Sequence, residues 1–267
     1  MTISESDVEA FQNEGVVFLP GLFRDWVEPL RQGVAYCIAH PSPLERTYRP
    51  KDASAPFFQD YCNWQRVPQF HAFVFESPAA ETAARLIGSP TARFFHDHIL
   101  VKYPGNSTVT PWHHDQPYYC VQGARTVSFW TPLDRVPRDI SLECVAGSHA
   151  WNSAGYRPKR FDGSPLYASD DFADVPDIDS QRQSLVIRGW ELEPGDAIGF
   201  DFRTLHGAPA NTSSSMRRVF SSRWVGADAR FVRRGAKGSP PFPHLNLEDG
   251  APFDAPEFPL VYPRGER

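Results

Sequence analysis

The chain has 267 residues, 41% of them apolar, which is enough for a substantial core in one large domain or two small ones. Its formal net charge of −5 argues against a broad nucleic-acid surface, which needs clustered Lys and Arg; the basic run from Arg230 to Lys237 reads as a solvated loop. No apolar run reaches the ~20 residues that span a bilayer, the polar start lacks a signal-peptide pattern, and Cys37, Cys62, Cys120 and Cys144 show no CxxC spacing, so the expectation is a cytoplasmic protein with free thiols that neither enters a membrane nor binds nucleic acid.

In chain order, residues 4–14 predict a short helix: Ser4 or Ser6 can cap it, acids crowd its first turn and Gly15 follows its end. Val16 to Leu19 predicts a strand ended by Pro20-Gly21. Residues 24–39 have helical spacing, with Trp26, Leu30, Val34 and Ile38 on one face and Pro29 in the first turn. The stretch 41–56 reads as loop, 65–75 fits neither template, and 78–87 reads as a helix stopped by Gly88-Ser89-Pro90. From residue 92 the pattern changes to short strands, at 93–103, 111–116, 124–131, 142–145, 184–187, 197–201 and 217–225. Polar residues 152–182 read as an insertion between strands or a lid, and the Pro-rich tail 235–267 as a surface wrap. Helices first and strands later predict an α+β, mainly β fold in which residues 1–267 form one domain, its antiparallel core a candidate jelly roll.

The segment Pro111-Trp112-His113-His114-Asp115 carries the chemistry. Side chains alternate along a strand, so His113 and Asp115 point one way and His114 the other. A third ligand must come from a distant strand, and His206 sits just after the strand-like 197–201. Two imidazoles and one carboxylate suit Fe(II) with three open positions. His96-Asp97-His98 is a rival cluster; no third ligand matches it, and core or pocket-lining roles fit better. Downstream of His206, Asn211 to Ser215 makes a turn, and Arg217 can point back toward the metal with a planar fork suited to a carboxylate. Arg218, of opposite parity, reads as a salt-bridge residue.

On these residues the chain resembles the phytanoyl-CoA dioxygenase family of Fe(II)- and 2-oxoglutarate-dependent oxygenases, which includes ectoine hydroxylases. The matching run is Lys102-Tyr103-Pro104-Gly105, His113-His114-Asp115, Phe129-Trp130, Gly147-Ser148-His149, Glu193-Pro194-Gly195-Asp196, His206 and, eleven residues on, Arg217. The likeness covers residues 4–226. It implies a double-stranded β-helix (jelly roll, cupin-like) core with flanking N-terminal helices. It implies Fe(II) on His113, Asp115 and His206, the distal carboxylate of 2-oxoglutarate on Arg217, and Trp130 and His98 beside that co-substrate. The reaction implied uses O₂ and couples C–H oxidation to release of succinate and CO₂. Because the carboxylate ligand Asp115 is present, hydroxylation is favoured over halogenation.

Departures from the family pattern are His114 where relatives often carry Gln, Ala208 where some carry Ser, and Asp139-Ile140-Ser141 where Asn-Gly is usual. No coenzyme A site is recognisable, so a small metabolite or natural-product intermediate is the expected substrate. Tyr118, Tyr119, Trp64 and Arg157 are candidates to contact it. Two other classes stay open on the residues: a non-catalytic cupin-like binding protein, against which the intact ligand set argues, and a metal-dependent hydrolase, for which no His-Glu-x-x-His motif is present.

Overall fold

The computed structural model describes residues 3–52, 54–152, 155–160, 164–166, 172–234 and 238–264. Helix α1 (Glu5–Glu14) opens with a capping box, in which the Ser4 hydroxyl accepts from the Asp7 N–H and the Asp7 carboxylate accepts from the Ser4 N–H. It ends at Gly15 with φ at +72°, where a Cβ would lie 2.4 Å from His149 Nδ1. That tight fit has a purpose: the Gly15 carbonyl accepts from the Asp201 N–H and the Thr204 hydroxyl, tying the end of α1 to the loop that leads to His206.

Strand β1 (Val16–Leu19) follows, then a single 3-10 turn over Arg24–Trp26 and α2 (Val27–Ala39), whose Val27, Leu30, Val34 and Cys37 are buried. Strand β2 (Phe57–Tyr61) and α3 (Pro68–Glu76) occupy a region the pattern leaves open. Proline at the first helical position starts α3, since its missing N–H costs nothing there. Helix α4 (Ala79–Leu86) precedes the long strand β3 (Ala92–Lys102).

The remaining strands are β4 (Thr110–His113), β5 (Val121–Gln122), β6 (Thr126–Pro132), β7 (Glu143–Val145), β8 (Ile187–Arg188), β9 (Ala197–Phe200), β10 (His206–Ala208), β11 (Arg217–Val225), β12 (Arg230–Phe231) and β13 (Leu260–Tyr262). A seven-stranded antiparallel sheet runs β1-β9-β6-β11-β3-β13, with β2 also on β3; a four-stranded sheet runs β4-β10-β7-β8; β5 and β12 pair separately. The fold is thus mainly antiparallel β with four helices among the described residues.

Alternation along β11 divides its side chains between two layers. Phe220 and Trp224 join Phe23, Leu30, Phe70 and Phe73 beneath the helices. Arg217, Val219, Ser221 and Arg223 point the other way, into a cavity. A second apolar cluster, including Trp130, Leu142, Ile198, Phe200 and Val219, lies between the two sheets and forms part of that cavity's floor.

The C-terminal segment departs from the expected surface wrap. Leu245, Phe253 and Phe258 are buried against Phe95, Tyr119 and Phe202, and β13 extends the large sheet. Proline-rich composition marks loss of regular structure, but its aromatic residues still bury wherever a groove is available. Of the expected insertion, residues 153, 154, 161–163 and 167–171 lie outside the described residues, as do 235–237 and 265–267 of the tail.

Candidate metal centre

The metal motif sits where the small sheet meets the large one. His113 ends β4 and His206 opens β10, and the two are direct partners across that antiparallel pair. Their ring centroids lie 4.2 Å apart. Asp115 follows β4 by two residues and places Oδ1 3.8 Å from His113 Nε2 and 3.9 Å from His206 Nε2. One ligand atom from each of the three lies within 4.8 Å of the others.

Backbone carbonyls fix both imidazoles in the tautomer a metal needs. His113 Nδ1 donates to the Pro111 carbonyl at 2.8 Å, and His206 Nδ1 donates to the Thr204 carbonyl at 2.9 Å. Each Nε2 is therefore left as a lone-pair donor aimed at the carboxylate. Burial, followed by the neighbouring His113, holds His206 down to about 3, so it is neutral at physiological pH. Burial alone would raise the Asp115 carboxyl; the Arg223 guanidinium, His206, His113 and the Tyr119 hydroxyl together outweigh it and hold the group ionised, well below the usual carboxylate range. Two imidazole nitrogens and one ionised oxygen are a donor set that fits a divalent transition metal.

Turns remote in sequence position these ligands. Ser148, in the Gly-Ser-His turn, accepts from the Leu205 N–H at 2.8 Å and donates to the Val145 carbonyl at 2.7 Å, clamping the residue before His206. Thr204, whose carbonyl orients His206, is itself tied to Gly15. His114 points away from the metal ligands, although the strand expected over 111–116 ends at His113 and Asp115 already opens a 3-10 turn over Gln116–Tyr118. Its Nε2 accepts from the Tyr156 N–H at 2.7 Å, so it braces the start of the 152–182 segment.

The three ligands face a cavity of about 830 Å³. At its other end Arg217 and Lys102 are register partners on β11 and β3, both at most 5% exposed. Arg217 donates to the Ile140 and Pro209 carbonyls; Lys102 donates to the Thr108 and Pro209 carbonyls at 2.6 and 3.0 Å. Among the described residues neither cation has a carboxylate partner within 4.0 Å. Burial lowers Arg217 to about 10, and burial followed by Arg217 lowers Lys102 to about 6. A buried guanidinium without a counter-charge, with the Lys102 amine beside it, forms a site for an anion, whose arrival would favour protonation of Lys102. Trp130 and His98 line the cavity between the two ends, with His98 stacked on Tyr61 at 3.9 Å between centroids.

Of the candidate substrate contacts, Tyr118, Tyr119 and Arg157 line the cavity. Tyr118 bonds the Lys159 backbone through its hydroxyl, and Arg157 pairs with Asp174 at 3.6 Å. Tyr119 is buried, and its hydroxyl is engaged by Arg223 and Asp115. Trp64 is a correction: it packs in the helical core against His71, Phe75 and Phe94 and does not line the cavity. The rival cluster also resolves. Asp97 faces away from His96 and His98 and accepts the Asn63 and Trp64 N–H groups at 2.9 and 2.8 Å, fixing the turn into α3. Arg218 makes the expected salt bridge, to Asp134 at 2.6 Å.

The sequence of the site also decides its kinship. The profile of the phytanoyl-CoA dioxygenase (PhyH) family matches residues 11–219, most of the chain. The chain belongs to the phytanoyl-CoA dioxygenase family. A curated relative from Caenorhabditis elegans, described as a probable phytanoyl-CoA dioxygenase, is 24% identical over 188 residues, 67% of this chain and 54% of the relative. The chain thus spans about half the length of that family member.

Solved structures share the fold. The non-heme alpha-ketoglutarate-dependent carbocyclase SnoK from nogalamycin biosynthesis superposes with a TM-score of 0.78 at 22% identity, covering 97% of both chains. The epimerase SnoN, in complex with Fe³⁺, alpha-ketoglutarate and nogalamycin RO, gives 0.78 at 20% identity over 96% of this chain and 98% of its own. EctD from S. alaskensis, with 2-oxoglutarate and 5-hydroxyectoine, gives 0.70 at 18% identity over 94% and 85%.

Two residues of the site escape a sequence reading, Lys102 and Arg223. Lysine in a strand ordinarily reads as a solvated position. Arg223 has a faint signal: it is six residues from Arg217, so the same strand parity aims both inward.

Proposed function

We propose that this chain is an Fe(II)- and 2-oxoglutarate-dependent oxygenase that hydroxylates a C–H bond of a small organic molecule, releasing succinate and CO₂. The observation that carries the reading is one cavity with a two-imidazole, one-carboxylate ligand set at one end and, at the other, the Arg217 guanidinium and the Lys102 amine, which have no carboxylate partner among the described residues. In this reading the two sheets are the halves of a double-stranded β-helix, and residues 1–267 act as one domain.

His113, Asp115 and His206 would hold the iron, which when bound supplies the O₂ chemistry. The protein's own part is binding, orientation and exclusion of water. The Pro111 and Thr204 carbonyls keep both imidazoles in the ligating tautomer. Arg217, with Lys102 beside it, would take the distal carboxylate of 2-oxoglutarate; a planar guanidinium can bind both carboxylate oxygens. Trp130, Leu142, Phe200 and Val219 make the walls around this path apolar, which excludes water and strengthens the charge pairing. The Ala208 methyl lies in the wall where some relatives place a serine, so Lys102, the register partner of Arg217, would supply the second polar contact.

The cavity volume of about 830 Å³ exceeds what a five-carbon diacid fills, and it lies in the range of drug-sized ligand pockets. Tyr118 and Arg157 lie on its lining and would face the substrate, beside Lys159, Leu166 and Val175 from the same insertion. A natural-product intermediate or comparable metabolite fits this volume, in keeping with the nogalamycin compound bound by SnoN. The test is succinate formation from 2-oxoglutarate with Fe(II) and O₂. The wild-type chain should turn over, and Asp115→Ala should lose at least ~100-fold. Undiminished succinate formation in Asp115→Ala would refute the ligand assignment.

A further inference from the structure

The two oxygens of Asp115 have different neighbours. Oδ1 faces both imidazole Nε2 atoms, at 3.8 and 3.9 Å. Oδ2 faces Arg223 Nη2 at 3.5 Å and the Ser128 hydroxyl at 3.4 Å. Arg223 is 5% exposed and comes from the middle of β11, paired with Ser128 of β6 on one side and His96 of β3 on the other. Its Nε donates to the Tyr119 hydroxyl, and that hydroxyl also bonds Asp115. The guanidinium lies 5.5 Å from the Tyr119 ring centroid.

Arg223 has no other carboxylate within 4.0 Å among the described residues, and its Nη1 is buried without a hydrogen-bond partner. A buried guanidinium is costly unless a specific charge compensates it. Here that charge is the candidate metal ligand itself. A structural ion pair would be free to lie anywhere in the core; this one takes the one carboxylate oxygen turned away from the imidazoles.

We infer that Arg223, held in place by Tyr119, is a positioning residue that occupies Asp115 Oδ2 and so makes Asp115 a one-oxygen ligand through Oδ1. The inference rests on the metal-centre reading above. Occupying Oδ2 keeps the carboxylate from turning both oxygens toward the ion, which would consume a coordination position. The planar fork matters as much as the charge, because Nη2 and Nε must reach Asp115 and Tyr119 together.

The test uses the full-length chain loaded anaerobically with Co(II), whose visible d–d bands report ligand geometry without turnover. Arg223→Lys keeps the charge and loses the fork; Tyr119→Phe keeps the guanidinium and removes its anchor. Apo melting temperatures of both variants are compared with wild type to confirm folding. Arg223→Lys is expected to bind Co(II) about 10- to 100-fold more weakly with shifted d–d bands, and Tyr119→Phe to shift the bands in the same direction with a smaller loss. If Arg223→Lys fails to fold, Tyr119→Phe decides alone. A folded variant of either kind that holds Co(II) with wild-type affinity and spectrum would overturn the inference. Asp115→Ala separates the two levels of the argument: wild-type Co(II) binding in Asp115→Ala defeats the metal-centre reading itself, whereas binding that depends on Asp115 and ignores Arg223 defeats only the positioning role.

Discussion

Lys102 is the residue whose environment departs furthest from its chemistry. A lysine in the middle of a buried wall, beside Arg217, is pushed down to about 6 from an ordinary 10.5 by burial and then by its neighbour. The unfolded chain therefore binds more protons than the folded one between those two values, so the Lys102 contribution to stability is fully present above about 10.5 and is lost as pH falls toward about 6. The melting temperature of the apo protein minus that of Lys102→Met should accordingly grow as pH rises from about 7 to about 9. A difference that stays constant across that interval would show that Lys102 keeps its ordinary proton affinity. A strand lysine gives no sequence cue to this state, because burial depends on what the other sheet and the Asn106–Asn211 bridge place over it. His113, Asp115 and His206 were legible from their ligand types and order, but the expected strand 111–116 ends at His113, and Asp115 reaches the same side from the start of a 3-10 turn, not by strand alternation. His206 needed only a strand end and a ligand-competent side chain.

At the scale of elements, the same contrast holds. Helix α1, β1 and the strands β3, β6, β9 and β11 follow directly from capping residues and alternating or continuous apolar runs. Strand β2 and helix α3 do not. Phe57 to Asp60 are all buried, which erases alternation, and in α3 the half-buried Ala72 and Phe75 beside the buried stripe of Phe70, Phe73 and Val74 blur the helical spacing. The contact of α3 with α2 is close. A Cβ on Gly33 would lie 2.3 Å from Phe70 Cε1. Gly33→Ala should therefore push α2 from α3 and destabilise the fold by about 1–3 kcal/mol, despite alanine's better helix propensity. Chemical denaturation measures this directly, and an unchanged or raised midpoint would mean that Phe70 can move aside at no cost. The short strands β5, β8, β10 and β12 have two or three residues each, too few for any periodicity to register.

Across the whole molecule, the helices cover one face of the large sheet and leave its other face to close a cavity with the small sheet. That division sets the chemistry. One face of β3 and β11 supplies core aromatics, and the other supplies Lys102, His98, Arg217, Ser221 and Arg223 in a line that ends at Asp115. The tail closes the same end of the cavity, with Gly238, Ser239 and Pro241 on its lining. That packing could not be read from a proline-rich sequence, whereas the order of the family motifs could. In the proposed function the two ends of this cavity hold Fe(II) and the distal carboxylate of 2-oxoglutarate at once. The most direct measurement is anaerobic titration of Fe(II)-loaded protein with 2-oxoglutarate, following the weak visible metal-to-ligand charge-transfer band. A saturable band is expected in the wild-type chain and, in Arg217→Ala, a band that needs roughly 30-fold or more additional 2-oxoglutarate, the loss expected for removing one partner of a buried charge pair. No band with iron demonstrably bound, or an identical titration in Arg217→Ala, would contradict it.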